Sequence, residues 1–82
     1  MSDLIERKLR KLIADELDIA PEKITKESSF MDDLGADSFD MVDIALIIEE
    51  AFGICVPDSV IESMKTINDA IEYIKGAMLA KG

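Results

Sequence analysis

Apolar residues recur at helical spacing in three stretches of the chain, and no stretch shows the strict alternation of a strand. The first stretch carries Ile5, Leu9, Leu12, Ile13 and Leu17, which predicts a helix over Leu4 to Leu17. Ser2 is placed as its N-cap, with Asp3 and Glu6 near the positive end. Arg7, Lys8, Arg10 and Lys11 fall on the remaining faces and read as a solvated basic surface. The second stretch runs from Ser38 to Phe52. Asp37 suits its N-cap, Asp40 three residues later completes a box-like pair, and Gly53 suits the position past its end. The third stretch repeats at Ile67, Ala70, Ile71, Ile74 and Met78, capped by Thr66 with Asp69, and Lys75 and Lys81 suit its negative end. Between the last two, Asp58 to Met64 has room for one or two turns behind Pro57.

The connection from Asp18 to Ala36 is long, broken by Pro21 and the polar run Lys26-Glu27-Ser28-Ser29. Ile19, Ile24, Phe30, Met31 and Leu34 are spaced along it as anchors to the core. A loop this long in a small domain is uncommon and often functional. The pattern predicts an all-α fold: a small four-helix bundle of three main helices and a short third one, with a long first loop.

The second helix carries more apolar residues than one buried stripe needs. At about 100° per residue, Met41, Ala45, Ile48 and Phe52 share a face flanked by Ile44, which should meet the core. Phe39, Val42 and Leu46 fall on another side, with Ser38, Asp43, Glu49 and Glu50. Acids interleaved with that second stripe are costly to bury, so it is expected to be partly exposed, an apolar patch rimmed by carboxylates. A fully buried central helix is the competing reading.

Charge adds to this picture. The 82 residues have room for one domain, residues 1–82, and 49% are hydrophobic, which suits a folded core. Eighteen Asp and Glu against nine Lys and Arg give a formal charge of -9. That balance disfavours nucleic acid and anionic membranes and favours basic protein partners. Between Glu27 and Met64 there is no Lys or Arg, yet Glu27, Asp32, Asp33, Asp37, Asp40, Asp43, Glu49, Glu50, Asp58 and Glu62 all lie there. A field of one sign costs self-repulsion, and its common use is steering.

The residue inventory removes several chemistries. One cysteine, Cys55, makes no internal disulfide, and with no histidine the usual zinc sites cannot be assembled. An EF-hand register from Asp32 puts Asp37 at the sixth position and Leu34 and Ala36 at ligand positions, so it fails. No metal is expected. Ser38 has no histidine base and no lysine near in sequence, so nucleophilic catalysis is rejected and no catalytic residues are assigned. The start lacks the apolar core of a signal peptide and no segment would span a bilayer, so a cytoplasmic location, or an organelle matrix after processing, is expected. A monomer is expected. On these grounds alone Ser38 is an ordinary residue of a first helical turn.

Ser29-Phe30-Met31-Asp32-Asp33-Leu34-Gly35-Ala36-Asp37-Ser38, followed by Val42-Asp43, Glu49-Glu50-Ala51-Phe52-Gly53, Val56-Pro57-Asp58 and the run from Thr66 to Ile74, resembles the acyl carrier protein family. The likeness covers nearly the whole chain. A bare Asp-Ser pair is a weak signal; Gly-x-Asp-Ser at the head of an acidic helix, with Pro-Asp and Thr-Ile at matching distances, is a strong one.

The resemblance implies a carrier, not an enzyme. Its serine, here Ser38, would hold 4′-phosphopantetheine in phosphodiester linkage, attached from coenzyme A by a phosphopantetheinyl transferase. Acyl groups would ride on the arm as thioesters and be presented to partner enzymes of fatty-acid or related lipid or polyketide synthesis. Those acyl-loading and acyl-transferring enzymes would bring basic patches. The docking surface would comprise Asp37, Phe39, Asp40, Val42, Asp43, Leu46, Glu49, Glu50, Asp58 and Glu62. Acyl chains are expected to shelter in a cleft lined by Ile44, Ile48, Ile61 and Ile71. Three departures point to a specialised carrier: Phe39 where the family usually has Leu, a third helix low in charge, and Cys55 where a polar residue is common. Cys55 is expected to be inert and partly buried. An acidic adaptor without a prosthetic group and an aminoacyl carrier are the alternatives.

Overall fold

The computed structural model describes the backbone of residues 2–81 and the side chains of residues 4–80. Four helices follow one another: α1 (Ser2–Leu17), α2 (Ser38–Phe52), α3 (Asp58–Ser63) and α4 (Ile67–Lys81). The all-helical bundle expected from the pattern is therefore present. Helix α1 already includes Ser2, so Ser2 is not its N-cap, and the capping position lies outside the described residues.

Helix α2 starts and stops where its signals stand. Asp37 accepts the N–H of Asp40 at 2.9 Å, and Asp40 accepts the N–H of Asp37 at 3.1 Å. Gly53 ends the helix in the left-handed conformation, φ 65°, and its N–H bonds the Glu49 carbonyl. Helix α4 opens with the same device, Thr66 and Asp69 exchanging N–H to side-chain bonds at 3.2 and 3.1 Å.

The core is the meeting of the predicted stripes. Ile5, Leu9 and Ile13 of α1, Met41, Ile44, Ala45 and Ile48 of α2, and Ile67, Ala70, Ile71 and Ile74 of α4 are buried together. Each large side chain removed from water contributes about 1.5–3 kcal/mol. The buried stripe on α4 ends at Ile74; Met78 is partly exposed and lines a surface cavity with Leu4 and Ile5 of α1 and Phe52 of α2.

The long loop is tied down more firmly than its apolar anchors alone predict. Ile24 and Phe30 are buried and Ile19 and Leu34 pack partly against the core, but Met31 is 54% exposed and anchors nothing. Ala36 is buried. A single 3-10 turn occupies Pro21–Lys23. An isolated bridge pairs Ser29 with Thr66, and Phe30 N–H donates to the Lys65 carbonyl while Ile67 N–H donates to the Ser28 carbonyl, each at 3.0 Å. Ser28, a buried polar side chain, accepts the Thr25 N–H at 3.0 Å. The loop thus borrows the start of α4 as a partner strand for its backbone groups, which would otherwise be unsatisfied against the core.

The basic cluster on α1 is not simply solvated. Lys8 donates to the Ala51 carbonyl at 3.1 Å and stands 5.2 Å from the centre of the Phe52 ring. Arg10 pairs with Glu6, which Lys26 also approaches. Lys8 places a cation at the negative end of α2, whose own last turn carries none.

Candidate functional site

Ser38 is delivered by a folded turn, not by a loose loop. Ser29 accepts the N–H groups of Asp33 and Leu34 on its carbonyl, each at 3.0 Å, and the Asp32 N–H on its hydroxyl at 3.2 Å. Asp33 returns a carboxylate to the Ser29 N–H at 2.6 Å. The buried Phe30 ring holds this turn to the core, and its carbonyl accepts the Ala36 N–H at 2.8 Å. Gly35, φ 73°, makes the reversal between turn and helix, a conformation L residues rarely adopt. Ala36 points in, and Asp37 and Ser38 point out.

The reciprocal Asp37–Asp40 pair consumes two of the first-turn N–H groups. The N–H groups of Ser38 and Phe39 have no intrahelical acceptor by construction, and they lie at the positive end of α2. An exposed hydroxyl therefore sits where an anion is electrostatically favoured.

Phe39, Val42 and Leu46 are 81%, 48% and 51% exposed, so the second stripe of α2 is open to solvent. Asp43 and Glu50 are exposed beside it, as are Asp37 and, on α3, Asp58 and Glu62. Asp40 is half-buried by its capping role. Glu49 differs from the others: it is half-buried, and its carboxylate accepts the Val56 N–H at 2.7 Å.

A groove of about 750 Å³ opens beside Ser38, between the first turns of α2, helix α3 and the loop. Phe30, Met41, Val42, Ile61 and Met64 give it apolar walls, and Asp32, Asp58, Glu62 and Lys65 are among its polar residues. Of the four isoleucines expected to line a cleft, only Ile61 does so. Ile44, Ile48 and Ile71 are closed into the core that α1, α2 and α4 share. The wall includes methionines that helical spacing alone does not distinguish from core.

Cys55 is exposed, not partly buried. Its carbonyl accepts the Tyr73 hydroxyl at 2.6 Å, which fixes the backbone and leaves the side chain outward. Among the described residues no group of three or more Cys, Asp or Glu is placed to hold a metal ion. No described helix is long and apolar enough to cross a membrane.

Residues 7–74 match the family described as phosphopantetheine attachment site. The chain is 47% identical over 74 residues to an acyl carrier protein of Caulobacter vibrioides, covering 90% of this chain and 94% of that protein. It is 47% identical over 75 residues to an acyl carrier protein of Phenylobacterium zucineum, covering 92% and 94%. An exposed hydroxyl at a helix start, next to an open apolar groove, fits covalently attached 4′-phosphopantetheine, the prosthetic group this match implies. The chain belongs to the phosphopantetheine-bearing acyl carrier protein family.

Proposed function

We propose that Ser38 is the attachment residue and that the chain carries acyl groups to partner enzymes of fatty-acid or related lipid or polyketide synthesis. The observation that supports this reading is the placement of the Ser38 hydroxyl: exposed, at the positive end of α2, on the rim of a groove large enough to receive a chain. In the loading step, the Ser38 oxygen forms the new bond to phosphorus of coenzyme A. The hydroxyl proton leaves and the adenosine bisphosphate half departs. The chain has no histidine, and the carboxylates of Asp37 and Asp40 beside Ser38 are engaged with backbone N–H groups, so the base that takes the proton is assigned to the transferase.

When attached, the group supplies a flexible arm whose terminal thiol holds acyl groups as thioesters. The chain's own residues do the rest. The Ser29–Asp33 turn and the Asp37–Asp40 pair hold Ser38 at a fixed point. Met41, Val42, Ile61 and Met64 offer apolar surface to cargo and exclude water from it. Phe39, Val42 and Leu46, rimmed by Asp43 and Glu50, offer a partner enzyme an apolar centre and an acidic edge. The acids steer a basic partner, and the apolar residues contribute contact once it arrives.

Intact mass after incubation with coenzyme A and a phosphopantetheinyl transferase tests the assignment. The wild type should gain the mass of one phosphopantetheine and Ser38→Ala should gain none. A Ser38→Ala protein that is still loaded would move the attachment elsewhere, and an unmodified wild type would favour the adaptor reading.

A further inference from the structure

The groove beside Ser38 contains one cation. Lys65 lines it together with the carboxylates of Asp32, Asp58 and Glu62, and it is the first basic residue after Lys26. Its backbone is fixed on both sides: the N–H donates to Asp69 at 2.9 Å and the carbonyl accepts from Phe30 at 3.0 Å. Its ammonium has no ion-pair partner among the described residues, a state it shares with Arg7, Lys11 and Lys23, but of these only Lys65 lines the groove; Lys8, Arg10, Lys26 and Lys75 are engaged. A rigidly rooted, uncommitted cation thus stands at the edge of an acidic groove.

We propose that Lys65 is a positioning residue for the attached arm. This rests on Ser38 being the anchor. The arm brings a phosphodiester charge and two amide carbonyl oxygens, which accept, beside a hydroxyl and two amide N–H groups, which can donate. The acids around the groove repel the phosphodiester, so they disfavour an arm lying along the wall. Three N–H donors on Lys65 oppose that repulsion at one point and favour the arm in the groove over the arm in solvent. The acids can then remain for partner steering while cargo is still sheltered. Neutralising Lys65 shifts the arm outward without altering the fold, because both hydrogen bonds at this position use the backbone.

The test compares apo, holo and octanoyl forms of the wild type, Lys65→Gln and Lys65→Arg by NMR, with loading verified by mass for each. Conversion to the holo form should move the Lys65 side-chain resonance and leave in place that of Lys23, which is exposed and does not line the groove. The shifts that loading produces at Ile61 and Met64 should shrink in Lys65→Gln and return in Lys65→Arg. Hydroxylamine should cleave the octanoyl thioester of Lys65→Gln about two to five times faster than that of the wild type, the range open to a solvent-exposed charge contact. A Lys65 resonance that ignores loading, or equal Ile61 and Met64 shifts and equal cleavage rates in Lys65→Gln and wild type, would overturn the proposal while leaving Ser38 as the anchor. A wild type that gains no mass would remove the anchor itself.

Discussion

Glu49 accepts the backbone N–H of Val56 at 2.7 Å, so an acid of the proposed docking helix also ties the α2–α3 connector to α2. Tyr73 holds the same connector from α4 through the Cys55 carbonyl. Glu49 therefore has a structural role that Asp43, exposed and without such a bond among the described residues, does not share. Glu49→Ala should lower unfolding stability by about 1–2 kcal/mol, the loss of a half-buried bond to a charged acceptor. Asp43→Ala should stay within about 0.5 kcal/mol of wild type. Urea unfolding of both variants checks this, and equal stabilities would mean that the Glu49 bond contributes nothing.

Asp43 is consequently the cleaner probe of partner steering. Asp43→Lys should slow association with a transferase or other basic partner at low salt, and the deficit should shrink as salt is added. Stopped-flow association rates across an ionic-strength series are the measurement. A deficit that persists unchanged at high salt would point to contact, not steering.

Phe39 adjoins Ser38 and is 81% exposed, so the fold gains little from its ring. Phe39→Ala should change stability by less than about 0.5 kcal/mol. It should nevertheless lower kcat/KM for loading at Ser38, because an exposed aromatic at the centre of an interface is a common site of binding energy. Phe39→Leu, which restores the usual family residue, separates loss of contact from change of partner preference when several partner enzymes are compared.

Two backbone positions should respond in opposite directions. Gly35 has φ 73°, and a Cβ there meets nothing within 4 Å, so its role is conformational, not steric. Gly35→Ala should cost about 1–2 kcal/mol from the left-handed conformation alone. Asp18 holds φ 56° just past α1, where a left-handed residue lets Ile19 N–H reach the Ala14 carbonyl at 3.0 Å. Its negative charge also stands next to the negative end of that helix. Asp18→Gly should raise stability by about 0.5–1 kcal/mol. Thermal unfolding of the two single variants and their combination reads both effects.

Helix α2 was readable to the residue, since its signals are local: Asp37 and Asp40 three apart, Gly53 past the end, and two apolar stripes at the helical period. The same locality made the exposed stripe visible, because Asp43 and Glu50 could not follow Phe39, Val42 and Leu46 into a core. The proposed anchor serine was different. Nothing in the spacing separated Ser38 from any first-turn serine; only the likeness of a long run of residues did so.

What remained hidden depends on contacts between distant parts of the chain. Lys8 at the end of α2, Ser29 paired with Thr66, Tyr73 on the Cys55 carbonyl and Glu49 on Val56 all join residues whose meeting the local period does not encode. The groove follows the same rule. Ile44, Ile48 and Ile71 have the composition of a cleft but are closed into the core shared by α1, α2 and α4, while Met41, Ile61, Met64 and Lys65 meet around a groove where the loop and α3 adjoin the head of α2. Sequence by itself determined the helices, the caps of α2 and α4 and the acidic apolar face, for these rest on interactions within a few residues. Tertiary structure alone decided which apolar residues enclose the core and which surround the open groove beside Ser38, since that division is set by how the helices pack.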